Sequence, residues 1–360
     1  MAAGGLLGLA LLAAGTVCLT SGCSTLGYYA QAVNGHLSLL QSARPVADWT
    51  ADATTPEALR KRLELTQRMR DFAVSELKLP DNNSYRRYAD LHRSAAVWNA
   101  VAAPELGLTL KTWCFPVLGC VGYRGYYSRE GADALATQLK TEGWETLVYG
   151  VPAYSTLGLS NWVGGDPLLN TFVNWSEGEL ARMIFHELSH QVAYADDDTT
   201  FNESFATAVE RIGVRLWLAQ HGTPQARAEH EAQAQRQQDF RSLTLRWRGE
   251  LDALYKSDAP QALKRERKQV LMARLRAEYQ AMKAERWGGF AGYDGWFERA
   301  NNASFAVLAA YNELVPEFEA LLACNGNDFH RFYAEVKRLA ALPKSLRRAQ
   351  LTSTSTTSGS

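Results

Sequence analysis

No long block of like charge stands in this sequence: 38 Lys and Arg are matched by 38 Asp and Glu. Phosphate-backbone binding needs a basic face, so nucleic acid is not an expected partner. A long apolar run is lacking too. Leu6 to Leu19 falls short of the ~20 residues a helix needs to cross a bilayer, which argues against a permanent transmembrane span. Cysteine is scarce, with 5 in 360 residues. What the chain does have is 46% apolar composition, enough to bury a substantial core in one large domain or two closely joined ones.

Residues 1–22 are small and apolar with no charged side chain, and read as an export signal ending just before Cys23; a buried core helix is the alternative. Leu19-Thr20-Ser21-Gly22-Cys23 resembles the bacterial lipobox, with Thr20 where that motif usually has leucine. The resemblance implies lipidation of Cys23 and a membrane-anchored lipoprotein of the cell envelope facing the periplasm. Ser24 after it favours the outer membrane by resemblance to sorting signals.

Residues 23–45 then form the lipidated N-terminus and a tether or first short helix, 46–350 the main domain, and 351–360 a disordered tail. From Pro56 to Leu79, apolar residues at near-helical spacing predict an amphipathic helix, broken by Pro80-Asp81-Asn82-Asn83. Aromatic and branched residues over 109–127 and 145–159 predict short strands of a small sheet. Cys114 and Cys120, with Pro116 and Gly119 between them, suit a disulfide that pins one turn, and Cys324 reads as a buried thiol. Residues 223–286 are charged and Gln/Arg/Ala-rich, predicting an inserted helical hairpin: a solvated pair without chemistry, or a partner-binding surface. Further helices are expected around 303–314 and 328–339. The fold class is α+β, predominantly helical.

Ser176-Glu177-Gly178-Glu179 has the form of a capping box, and Leu180, Met183, Ile184, Leu188 and Val192 follow at helical spacing. His186-Glu187-Leu188-Ser189-His190 therefore lies on a helix, where residues four apart share a face. His186 and His190 can present two imidazoles to one Zn²⁺, with Glu187 beside the open position as general base. A third ligand is expected at Glu203, beyond an Asp196-Asp197-Asp198 loop that lets a second helix return. Thr200 and Glu203 also fit a capping box, and Glu210, two turns on, competes as ligand or serves as acceptor for a ligating imidazole.

His-Glu-x-x-His followed by Asn202-Glu203-Ser204-Phe205-Ala206 resembles the gluzincins, above all the aminopeptidase N type, whose zinc glutamate is the one in Asn-Glu. The interval to Glu203 is shorter here, and no Gly-x-Met-Glu-Asn motif precedes the helix. Over almost the whole chain the sequence is similar to a family of predicted aminopeptidase lipoproteins of Gram-negative bacteria. That similarity runs through Cys114-Phe-Pro-Val-Leu-Gly-Cys120-Val-Gly-Tyr-Arg-Gly-Tyr126, Val151-Pro-Ala-Tyr-Ser-Thr-Leu157 and Asn301-Asn302-Ala303. It implies a zincin-like domain holding one zinc ion and hydrolysing peptide bonds as an aminopeptidase.

The gluzincin resemblance also implies a tyrosine donor to the oxyanion, for which Tyr311 is the first choice and Tyr293 the rival. Gly150 to Gly158 sits where zincins place an edge strand, making Tyr154 and Ser155 candidate peptide contacts, although an ordinary strand and turn fits as well. Two other readings are an endopeptidase or oligopeptidase of the same type, and a non-catalytic peptide-binding envelope lipoprotein; the intact Glu187 favours chemistry.

Overall fold

The computed structural model describes residues 23–115, 119–153, 165–308 and 314–356. The export-signal segment, Tyr154, Ser155 and Tyr311 lie outside them. The chain opens with α1 (Cys23–Ser42), then β1 (Arg44–Pro45), α2 (Val46–Ala51), α3 (Glu57–Ser75), β2 (Arg87–Ala89) and β3 (Val97–Pro104). Next come β4 (Trp113–Phe115), β5 (Gly119–Val121), β6 (Arg124–Tyr126), α4 (Arg129–Thr141), β7 (Trp144–Val151) and β8 (Leu168–Leu169). The second half is helical: α5 (Glu177–Ser189), α6 (Thr199–Gln220), α7 (Pro224–Lys256), α8 (Gln261–Arg286), α9 (Asp294–Arg299), α10 (Asn302–Val307), α11 (Val315–Cys324), α12 (Phe329–Ala340) and α13 (Lys344–Thr356). The chain is thus mostly helical with small sheets. Among the described residues, no helix is long and apolar enough to cross a membrane.

The central strand β3 was not predicted. It pairs antiparallel with β6 and with β7, from Val97 opposite Val151 to Pro104 opposite Trp144. Its Ala100, Ala102 and Ala103 have little strand propensity of their own, but α4 and α10 cover the sheet, and small side chains let them approach. Two further sheets are β1-β2-β8, with a parallel β2–β8 pair, and the β4–β5 hairpin. In that hairpin Cys114 and Cys120 stand directly opposite and are joined by a disulfide. Cys324 departs from expectation: it is exposed at the end of α11, where the apolar face of Val315, Phe318, Leu321 and Leu322 points elsewhere.

The main core gathers α3, α5, α6 and α11–α13 around Phe72, Phe185, Phe205, Trp217 and Phe318. Each such side chain contributes roughly 1.5–3 kcal/mol by leaving water. The stretch read as a tether or first short helix is helical, and its C-terminal end is docked: Leu39, Leu40 and Ala43 are buried in this core. The tail departs as well, because α13 continues through Thr356 with Leu351 buried.

The helices α7 and α8 form an antiparallel hairpin. Trp287 donates to Asp239 at 3.0 Å, Trp247 to Glu278 at 3.0 Å, and Lys264 to the Tyr255 carbonyl at 2.8 Å. This is not a merely solvated pair, since Leu243, Trp247, Leu251, Met272, Leu275 and Tyr279 build a second core with Trp287, Phe297 and Phe305. Asn301 and Asn302 tie that core to the sheet. Asn302, wholly buried, accepts from the Tyr255 hydroxyl at 2.8 Å and donates to the carbonyls of Pro104 and Glu105 at 2.9 and 2.7 Å. Asn301 donates to the Thr146 carbonyl at 2.9 Å. The asparagine pair is thus an architectural joint.

Candidate metal centre

On α5, Leu180, Ile184, Phe185 and Leu188 are buried against the core, while His186 faces a cleft and His190, the C-cap, is buried beside it. The expected capping box is not formed. Ser176 makes no side-chain cap, and Glu179 turns to Arg182 at 3.0 Å and toward Gln237 of α7 instead. Glu177 accepts from Trp217 of α6 at 2.8 Å, which fixes the two helices against each other.

The return from α5 to α6 is built by side chains. Asn202 bridges the loop end, accepting from the Ala195 amide and donating to the Ala195 carbonyl, both at 2.8 Å. Asp198 caps α6 by accepting from the Phe201 amide at 3.1 Å, so Thr200 is not the cap and Glu203 is not spent on one. Arg347 of α13, 3% exposed, grips Asp197 at 3.0 Å and Asp198 at 2.8 Å.

These constraints leave Glu203 facing the two imidazoles. Its carboxylate oxygens lie 3.4 Å from His186 Nε2 and 3.7 Å from His190 Nε2, and the two Nε2 atoms are 3.2 Å apart. All three ligand atoms fall within 4.8 Å of one another. Two imidazole nitrogens so close need a proton or a metal ion between them. The separation matches the about 3.3 Å expected of two nitrogens on one tetrahedral zinc ion, and His₂Glu is a zinc donor set. The residues fit the ion.

Glu210 is not part of the triad. It accepts from His186 Nδ1 at 2.8 Å, which holds a proton on Nδ1 and leaves Nε2 as the nitrogen that faces Glu203 and His190. Arg182 supports Glu210 at 3.5 Å.

Burial lowers the pKa of both histidines, but His186 is raised to about 10 because Glu203 and Glu210 outweigh burial, whereas His190, buried beside His186, is lowered to about 4. The pair accommodates one positive charge, not two. Glu187 is pushed up to about 7, chiefly by burial, with His186 opposing and Glu203, Asp166 and Glu210 adding to it.

A cleft of about 610 Å³ opens beside the triad, lined by Glu179, Arg182, His186, Glu203 and Glu210 on one side and by His230, Gln237 and Phe240 of the hairpin on the other. A larger cavity of about 860 Å³ beside the edge strand β7 does not contain the triad.

Of the tyrosines named from sequence, Tyr293 stacks on Phe240 at 4.6 Å within the second core, a packing role. Sequence reasoning missed three others. Tyr194 has its ring 6.4 Å from that of His190 and is 43% exposed, and Tyr123, after the disulfide hairpin, feels the charge of Glu203. Tyr85, from a segment far away in the chain, feels that of Glu187. Tyr194, four residues beyond His190, and Tyr123, within the Cys114–Tyr126 motif, had sequence signals that could have found them; Tyr85 had none.

A family model described as putative aminopeptidase matches residues 27–351. No curated protein matches, and no solved structure matches.

Proposed function

This chain belongs to the family described as putative aminopeptidases, and on that premise we propose that it is a gluzincin-type, zinc-dependent peptidase that removes N-terminal residues from peptides. The observation that carries the reading is the convergence of His186 Nε2, His190 Nε2 and Glu203, with His186 and Glu203 lining the cleft and Glu187 next to His186 in sequence.

His186, His190 and Glu203 would hold one zinc ion, which when bound supplies Lewis acidity to the scissile carbonyl and to the attacking water. Glu187 takes the proton from that water and returns it to the leaving amine. Burial favours this, because a carboxylate held up near 7 is a stronger base than an exposed one. Glu210 keeps His186 in the tautomer that leaves Nε2 free. Tyr194, part-exposed with its ring 6.4 Å from that of His190, is the proposed hydroxyl donor to the oxyanion.

Metal analysis of the purified full-length chain, paired with hydrolysis of unblocked and N-terminally blocked peptides, tests the reading. One zinc per chain and loss of cleavage in Glu187→Gln are expected, with blocked peptides spared. Equal activity of wild type and Glu187→Gln would sink the base assignment, and cleavage of blocked peptides would make the enzyme an endopeptidase. The same chain is proposed to be anchored in the cell envelope through lipid on Cys23, facing the periplasm. Incorporation of labelled palmitate that persists in Cys23→Ser would exclude this.

A further inference from the structure

In the sheet of β6, β3 and β7, β7 forms one edge. Its Val151 carbonyl accepts from the Ala96 amide at 2.9 Å on the inner side, next to β3, whereas its Thr146 carbonyl turns outward and accepts from the Asn301 side chain at 2.9 Å. Backbone groups along a strand alternate in direction, so those of Val148 and Gly150 face outward with Thr146. Among the described residues nothing bonds to them there. Such an edge is a template for an added strand.

This stretch of β7 is one wall of the cavity of about 860 Å³, which α4, α9 and α10 enclose on its other sides. Its charged lining groups are Arg129, Asp133, Lys140 and Arg299. Arg129 and Asp133 pair at 3.3 Å. Lys140 and Arg299, both exposed, meet no carboxylate among the described residues. Two positive charges are thus left facing the cavity in a chain whose net charge is zero.

The cavity also presents aromatic surface. Trp98 and Trp296, both part-buried, line it. A Cβ at Gly150 would come within 3.2 Å of the Trp98 ring and 2.7 Å of Ala95, so glycine there lets the ring lie against the strand. Leu308 lines both this cavity and the cleft beside the metal triad, which makes the two neighbours. A lone phosphate would use the cations only. Alternating backbone donors and acceptors beside those cations suit an extended peptide with acidic side chains.

We propose that the β7 cavity is an exosite for an acidic stretch of the peptide substrate. The stretch pairs with the outer backbone of Val148 and Gly150, its carboxylates meet Lys140 and Arg299, and its apolar groups lie on Trp98 and Trp296. A peptide whose N-terminal residue sits in the cleft passes Leu308 with the chain beyond the cleaved bond, so the enzyme selects peptides that carry Asp or Glu there. The inference rests on the peptidase reading.

An unblocked peptide with a run of glutamates in its C-terminal half, and a twin with glutamines in their place, test this on the full-length chain. The acidic peptide has a kcat/KM about fivefold higher, the scale of two exposed ion pairs, and the preference shrinks in high salt. In the double variant Lys140→Glu, Arg299→Glu the preference reverses. A second measurement needs no turnover. Followed by fluorescence anisotropy on the full-length Glu187→Gln chain, the acidic peptide binds about fivefold more tightly than its twin, and N-methylation along its acidic stretch weakens it by about the same factor. Equal kcat/KM and equal binding for the two peptides would overturn the exosite while leaving the peptidase reading intact. A preference that survives the charge reversal, or an N-methylated peptide that binds as well as its parent, overturns it too. If no peptide is cleaved and the charge-dependent binding holds, the peptidase reading fails and the acidic-peptide site stands.

Discussion

Replacing Glu210 by Ala separates the two glutamates that competed for the ligand role. The carboxylate accepts from His186 Nδ1 at 2.8 Å and faces Arg182 at 3.5 Å, so its removal frees the imidazole to rotate and to exchange tautomers. Losing an outer partner of a ligating histidine weakens metal binding by about 10- to 100-fold, or roughly 1.4–2.7 kcal/mol. Glu210→Gln keeps an oxygen acceptor but not the charge, and falls at the mild end, about tenfold. Glu203→Ala deletes a carboxylate of the proposed donor triad and costs more than about 100-fold. Competition for zinc between the full-length variants and a chromophoric chelator, with circular dichroism to confirm folding, reads all three. If Glu210→Ala binds zinc within about twofold of wild type, the reasoning about the imidazole fails. If Glu210→Ala abolishes binding while Glu203→Ala spares it, Glu210 is the ligand and the assignment is inverted.

Three further outcomes are expected. Glu187 titrates near 7 in the folded chain, above its ordinary 4.5, so its favourable contribution is complete below the ordinary value and is lost as pH rises through 7. In chelator-treated protein, Glu187→Gln therefore raises Tm at about pH 8 and leaves it unchanged at about pH 4; equal gains at both would refute the burial argument. Asn302→Ala leaves the Pro104 and Glu105 carbonyls and the Tyr255 hydroxyl without their partner, costing about 3 kcal/mol in urea unfolding, and a loss under about 1 kcal/mol would show that the joint is not needed. Replacing Cys114 and Cys120 by Ser opens a short loop worth only about 2 kcal/mol, so the chain stays folded; complete unfolding at room temperature would show the disulfide to be a global staple.

The sequence by itself determined what depends on local periodicity. His186 and His190 share a face because a helix repeats every 3.6 residues, and the apolar residues of α3 and α5 mark their buried sides in the same way. The Asn-Glu context singled out Glu203, but its role required a chain reversal that Asn202, Asp198 and the distant Arg347 hold together.

Tertiary structure alone decided the rest. β3 is a strand because two helices cover it, not because alanine prefers one. Glu179 leaves its capping box because Arg182 and a hairpin glutamine compete for it. Arg70 is buried among the mostly apolar residues of α3 because the carbonyls of a later loop converge on its guanidinium. The charge of Asp166, from a segment before α5, adds to the burial that raises Glu187. Periodicity reports which face of an element is buried; which distant atoms meet that face depends on how the elements pack, and no local pattern encodes it.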